Sequence, residues 1–222
     1  MNLFFKLLNH NIYKIIELII LSSLIPCLVL FLKLHNLIIP ILLIICLYCI
    51  TIYCLENKNL FLELKKVFNI NLYILIKIIL RWLFASIILY LLTFYFFNDK
   101  LFIIQNNKPE ILWKIMLLYP IFSALPQEFI FCKFFFYRYK SLFKNDNNLV
   151  IFSGIFFSIT HLLFLNFIAP ILSLIGGLLF ANTYKKHRSL LLVSLEHGLY
   201  GNTLFFIGIG WYFWGGSVNY TL

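Results

Sequence analysis

Leu125-Pro126-Gln127-Glu128-Phe129-Ile130-Phe131-Cys132-Lys133-Phe134-Phe135-Phe136-Tyr137-Arg138-Tyr139 is the stretch that decides how the chain folds. It sets an amide and an acid side by side in the middle of a long apolar run. Such groups are expensive in hydrocarbon, and where they occur they face a bundle interior or a wet cavity. The rest of the chain says what surrounds them. Hydrophobic residues make up 63% of the 222 and charged residues 12%, whereas an ordinary soluble domain is about half apolar and a quarter charged. The sequence therefore reads as an all-α, polytopic transmembrane helical bundle, a single integral-membrane domain over residues 1–222.

Crossing about 30 Å of hydrocarbon takes roughly 20 residues. That length places spans at 14–33, 37–55, 77–97, 111–138, 149–165, 168–184 and 189–207. An eighth segment, 205–214, crosses or only dips, because Gly208 and Gly210 interrupt it, so seven to eight spans are expected. Residues 60–68 have the pattern of a short amphipathic helix on the membrane surface. Pro126 is expected to kink the fourth span just ahead of the acid.

The net charge of +10 does not point to nucleic acid. The cations sit mostly at the ends of apolar runs, with no basic patch interleaved with exposed aromatics. They also set the orientation. Lys6 and Lys14 precede the first span; Lys58, Lys65 and Lys66 follow the second; Arg138, Lys140 and Lys144 follow the fourth; Lys185, Lys186 and Arg188 follow the sixth. By the positive-inside rule the N-terminus is cytoplasmic. Arg81 is expected to snorkel, Glu196 to meet Arg188 or head groups, and His35 to be interfacial. The five cysteines lie within or beside apolar runs as small hydrophobes. Cys46 and Cys49 form a lone C-x-x-C with no second pair to complete a zinc ribbon.

Depth links residues that are far apart in sequence. At 1.5 Å of rise per residue, Glu128 lies about 15 Å inside the Arg138 end of its span. His161 lies about 18 Å from Leu149 and His197 about 12 Å from Ser189 by the same rise. An acid and two imidazoles thus approach one level, placed by this count in the cytoplasmic half. These side chains can hold and deprotonate a water, and an imidazole with an amide can donate to an oxyanion. Asn202, on the turn after His197, is the candidate amide.

These residues resemble the motifs of the CPBP family, the intramembrane proteases of the type II CAAX prenyl protease and bacteriocin-processing, Abi-like group. Its E-E-x-x-x-R falls on Gln127-Glu128-Phe129-Ile130-Phe131-Cys132, its F-x-x-x-H on Phe157-Ser158-Ile159-Thr160-His161, and its H-x-x-x-N on His197 to Asn202, with the asparagine one place late. The resemblance covers about residues 110–210. It implies endoproteolysis within the membrane, with water activated by a glutamate and the second-motif histidine, and the third-motif His and Asn at the oxyanion. Gln127 stands where the family has its first carboxylate and Cys132 where it has arginine, which leaves the motif's net charge at −1.

The catalytic set expected is therefore Glu128, His161, His197 and Asn202 with Gln127, acting on membrane-associated peptides such as prenylated CAAX tails. A silent relative serving as a scaffold or immunity-like protein is the alternative, motivated by Gln127 and Cys132. A proton-coupled transporter ranks lower, since no inverted repeat is evident. No cofactor is expected. Zinc, without an H-E-x-x-H, would have to draw ligands from three helices and ranks below the glutamate–histidine reading. The partners expected are the lipid bilayer and a membrane-associated peptide or protein, with no nucleic acid. The abundance of Ile, Lys, Asn and Phe suggests an AT-rich genome and a bacterial cytoplasmic membrane.

Overall fold

The computed structural model describes residues 8–57 and 71–215. Among the described residues, seven helices are long and apolar enough to cross a membrane: α1 (Asn11–Phe31), α2 (His35–Glu56), α3 (Leu72–Phe96), α4 (Pro109–Arg138), α5 (Asp146–Phe164), α6 (Ile168–His187) and α7 (Leu190–Ile207). The architecture is a polytopic all-α bundle, as expected from composition. The proposed eighth segment is not a span. After Gly208 ends α7, Ile209–Phe213 form a short 3-10 turn. The segment read as an amphipathic helix, 60–68, lies outside the described residues.

Local sequence sets the boundaries. Asn71 Oδ1 accepts from the Tyr73 amide at 2.9 Å, Asn145 Oδ1 from Asn148 at 2.9 Å, and Ser189 Oγ from Leu192 at 3.3 Å, so α3, α5 and α7 each begin on an N-cap side chain. Pro109 opens α4, where its missing N–H costs nothing. Lys185, Lys186 and His187 close α6, at the end where the helix dipole favours cations.

The stretch from Ile130 to Tyr139 runs through the middle of the bundle. Phe134, Phe135, Phe136 and Tyr139 are buried and pack with Val193 of α7 and Leu149 of α5. α5 and α6 pack closely against each other. A Cβ on Gly177 would stand 3.0 Å from the Cα of Gly154, so this approach requires small residues on both sides. α3 lies at the edge, with Leu80, Phe84, Ile87 and Tyr95 facing outward.

At one end of the bundle, Arg138 is 1% exposed and holds three of its partners from α1, α2 and the segment ahead of α1. It donates to Glu17 at 2.8 Å, to Glu56, and to the Leu8 carbonyl at 2.9 Å. Tyr48 and Tyr139 add hydroxyl donors to Glu17. The cluster ties the end of α4 to both N-terminal spans. Arg81 departs from expectation: it pairs with the fully buried Glu196 and donates to Thr183 at 3.1 Å, rather than snorkelling. Arg188 pairs instead with Asp146.

Candidate active site

α4 is not a uniform α-helix. Wider π turns occur at Pro120–Ala124 and Phe129–Phe134, and a single α turn, Leu125–Glu128, lies between them. Single π turns inside helices cluster at functional sites. Pro126 falls in that turn, and its lost N–H hydrogen bond is part of the irregularity around it. Consecutive helical residues point about 100° apart. Gln127 and Glu128 accordingly look in different directions.

Glu128 faces α7. Its side chain is buried, with Oε1 2.7 Å from His197 Nδ1 and Oε2 accepting from the Cys132 thiol at 3.0 Å. Cys132 thus fills the place of the motif arginine with a neutral donor. His197 stacks on Phe180, with centroids 4.7 Å apart and an interplanar angle of 16°. Its Nε2 lies 2.9 Å from the hydroxyl of Tyr119. A chain of contacts therefore runs Cys132–Glu128–His197–Tyr119. Gly201 makes room for it: a Cβ there would run into the Tyr119 ring.

Gln127 faces a cavity of about 650 Å³ enclosed by α1, α2, α4, the end of α5 and the turn after α7. Its Nε2 donates to Ser123 Oγ at 2.8 Å, which leaves its carbonyl oxygen to accept from a guest. His161 lies on the same cavity wall. It opens the 3-10 turn His161–Phe164 that finishes α5, fifteen residues beyond Asp146, and so sits deeper than the count from Leu149 suggested. Its Nδ1 is 2.7 Å from the Phe157 carbonyl. A carbonyl only accepts, so Nδ1 carries the proton and the neutral ring keeps its lone pair on Nε2.

The five expected residues thus divide into groups. Gln127 and His161 share the cavity wall, whereas Glu128 and His197 form a buried pair behind it. The ring of Phe157 separates the two imidazoles, with centroids 4.6 Å from His161 and 5.6 Å from His197. Glu128 is hydrogen-bonded to His197 rather than to His161. Asn202 donates to the Met116 carbonyl at 3.0 Å, on α4, and does not line the cavity. The cavity's lining runs from mid-span residues of α1, α2 and α4, such as Leu21, Leu42 and Ile130, to the α1–α2 turn and the turn after α7, so it extends from mid-bundle toward the end opposite Arg138. Glu128 and His197 lie at the depth the count gave them, whereas His161, fifteen residues beyond Asp146 and three before the end of α5, lies outside the Arg138 half.

Tyr119 and Ser123 also line the cavity and were not picked out from sequence. A signal was present: Tyr119, Ser123 and Gln127 recur at four-residue spacing, the mark of one helical face. Among the described residues, no three His, Cys, Asp or Glu side chains converge as a metal site.

No curated protein and no solved structure matches the chain. A family model does, described as type II CAAX prenyl endopeptidase Rce1-like, over residues 109–203. That segment begins with α4, ends within the last turns of α7, and contains Gln127, Glu128, His161, His197 and Asn202. Residues 109–203 thus carry the pattern of the Rce1-like family, the same family that the three motifs resembled.

Proposed function

We propose that the protein is an intramembrane endopeptidase of a cytoplasmic membrane, bacterial by its composition, cleaving membrane-associated peptides of the CAAX-tail type. The observation that carries this reading is the shared cavity wall of Gln127 and His161, backed by the buried Glu128–His197–Tyr119 chain. His161 Nε2, fixed by the Nδ1–H bond to Phe157, accepts a proton from a water that also donates to the Gln127 carbonyl. The water oxygen attacks the scissile carbonyl. The imidazolium of His161 then returns its proton to the leaving nitrogen as the C–N bond breaks.

The oxyanion needs a donor beside the water site. Tyr119, which lines the same cavity, is that donor in this reading. Where the His197 Nε2–H donates to the Tyr119 oxygen, the hydroxyl proton is free for the oxyanion. Glu128 is then a positioning residue for His197, and Asn202 holds α7 to α4.

The test is cleavage by the purified full chain in liposomes, offered prenylated CAAX-type and generic membrane peptides. Glu128→Gln, His161→Ala and His197→Ala are compared with the wild type. The expected loss in kcat is on the order of 10²–10⁴ for His161→Ala, the usual worth of a positioned acid–base. Cleavage persisting in all three variants sinks the site. No cleavage of any peptide by the wild type returns the silent scaffold.

A further inference from the structure

α3 begins and α6 ends at the Arg138 end of the bundle, and both helices pack on α7. Lys77 and Arg81 are four residues apart on α3, as are Thr183 and His187 on α6, so each pair shares a helical face. Arg81 donates to Thr183 at 3.1 Å, which brings the two faces together, and it pairs with the fully buried Glu196 of α7. The two helices run in opposite directions, so one further turn toward the same end sets Lys77 near His187. Lys186, Arg81 and Lys77 are the charges that act on His187, and no acid is among them. The adjoining cations have partners elsewhere: Lys185 donates to Asn147 at 2.9 Å, and Arg188 pairs with Asp146. Lys77, Lys186 and His187 are exposed, and none of them has an acid partner among the described residues. The Lys77 ammonium lies 4.2 Å from the centre of the Tyr73 ring, one turn nearer the start of α3, so it reaches toward the membrane surface.

In the other direction, into the span, the same face of α3 carries Leu80 and Phe84, 61% and 68% exposed. A cluster of cations at the membrane border, continued by an exposed apolar face, fits an amphiphile with an anionic head. We propose that Lys77, Lys186 and His187 bind the phosphate of an anionic phospholipid whose acyl chains lie along Leu80 and Phe84. Basic pockets between spans recognise such head groups. Arg81, countered by Glu196, joins the two faces and leaves the net charge to the lysines. A soluble anion would leave the apolar face unused, and an acidic protein docked from the water would not reach it. None of these residues lines the cavity, so the site is separate from the Gln127–His161 wall and does not depend on the peptidase reading.

The test is native mass spectrometry of the full chain released from a neutral maltoside detergent, with added dioleoyl phosphatidylglycerol or the matched phosphatidylcholine. The wild type is expected to bind its first phosphatidylglycerol at least about tenfold more tightly than phosphatidylcholine. Lys77→Gln and Lys186→Gln are each expected to weaken phosphatidylglycerol binding about fivefold, the worth of one Lys at an anionic surface, and to leave phosphatidylcholine binding unchanged. Both side chains are exposed, so both variants fold. Lys140→Gln, which removes an exposed cation from the same end of the bundle but outside the cluster, is expected to bind as the wild type does. Equal binding of the two lipids by the wild type overturns the proposal. So does a loss in Lys140→Gln equal to that in Lys77→Gln, which makes the attraction a diffuse one. Displacement of the lipid by millimolar glycerol phosphate also overturns it and reassigns the cluster to a soluble phosphate.

Discussion

At the scale of single residues, the most informative position is Gly201, because it carries no chemistry of its own. It gives the Tyr119 ring the space to reach His197. Gly201→Ala is therefore expected to displace the ring and break the Tyr119–His197 contact. Overpacking of this kind costs about 1–3 kcal/mol. The activity should fall further than the stability, by an order of magnitude or more, as expected when an oxyanion donor is lost. Thermal unfolding and kcat measured on the same preparation separate the two effects. A variant with wild-type kcat would remove Tyr119 from the reaction. Gln127 raises the complementary question. Its amide faces the cavity where the family motif has a carboxylate, so the chain's acid, Glu128, is one residue and about 100° away from the guest.

At the scale of elements, α3 is held to α7 by a ladder of polar contacts. Arg81 pairs with Glu196, Trp82 Nε1 donates to the Leu199 carbonyl at 3.1 Å and to Thr203 Oγ1 at 2.8 Å, and Ser86 lies 3.4 Å from Thr203. Arg81→Met leaves the Glu196 carboxylate buried without its countercharge. The expected cost falls below the about 3–5 kcal/mol of a fully buried pair, since the Arg81 side chain is 39% exposed and already partly screened. Adding Glu196→Gln should recover most of the loss, and a double-mutant cycle on unfolding in detergent measures the coupling. Additive losses would show that the pair is not coupled. This ladder also marks where the sequence stopped being legible. Hydropathy located all seven spans to within a few residues, because hydrocarbon thickness fixes their length. Depth counting brought Glu128 and His197 to one level, where they do pair. It could not give the direction in which each side chain points around its helix, and two π turns in α4 shift that direction further. For that reason the sequence matches Glu128 to His161 rather than to His197 alone, and reads Arg81 as snorkelling and the buried His35 as interfacial.

At the scale of the molecule, the distribution of cations makes the Arg138 end the one expected to face the cytoplasm. Topology reporters inserted at 98–107 should read non-cytoplasmic, and those inserted at 139–145 cytoplasmic; the reverse pattern would invert the bundle. The two large ion clusters, meanwhile, cross the border of the segment that matches the family. Arg138 lies inside 109–203 and takes its acids, Glu17 and Glu56, from outside it, whereas Glu196 lies inside and takes its cation, Arg81, from outside. The exchange is reciprocal. Each part, cut away from the other, would carry bare charges into hydrocarbon. The matched segment is therefore not a portable module: its inheritance is bound to that of the three helices ahead of it, and grafting it onto other flanking spans would require both counterions to travel with it.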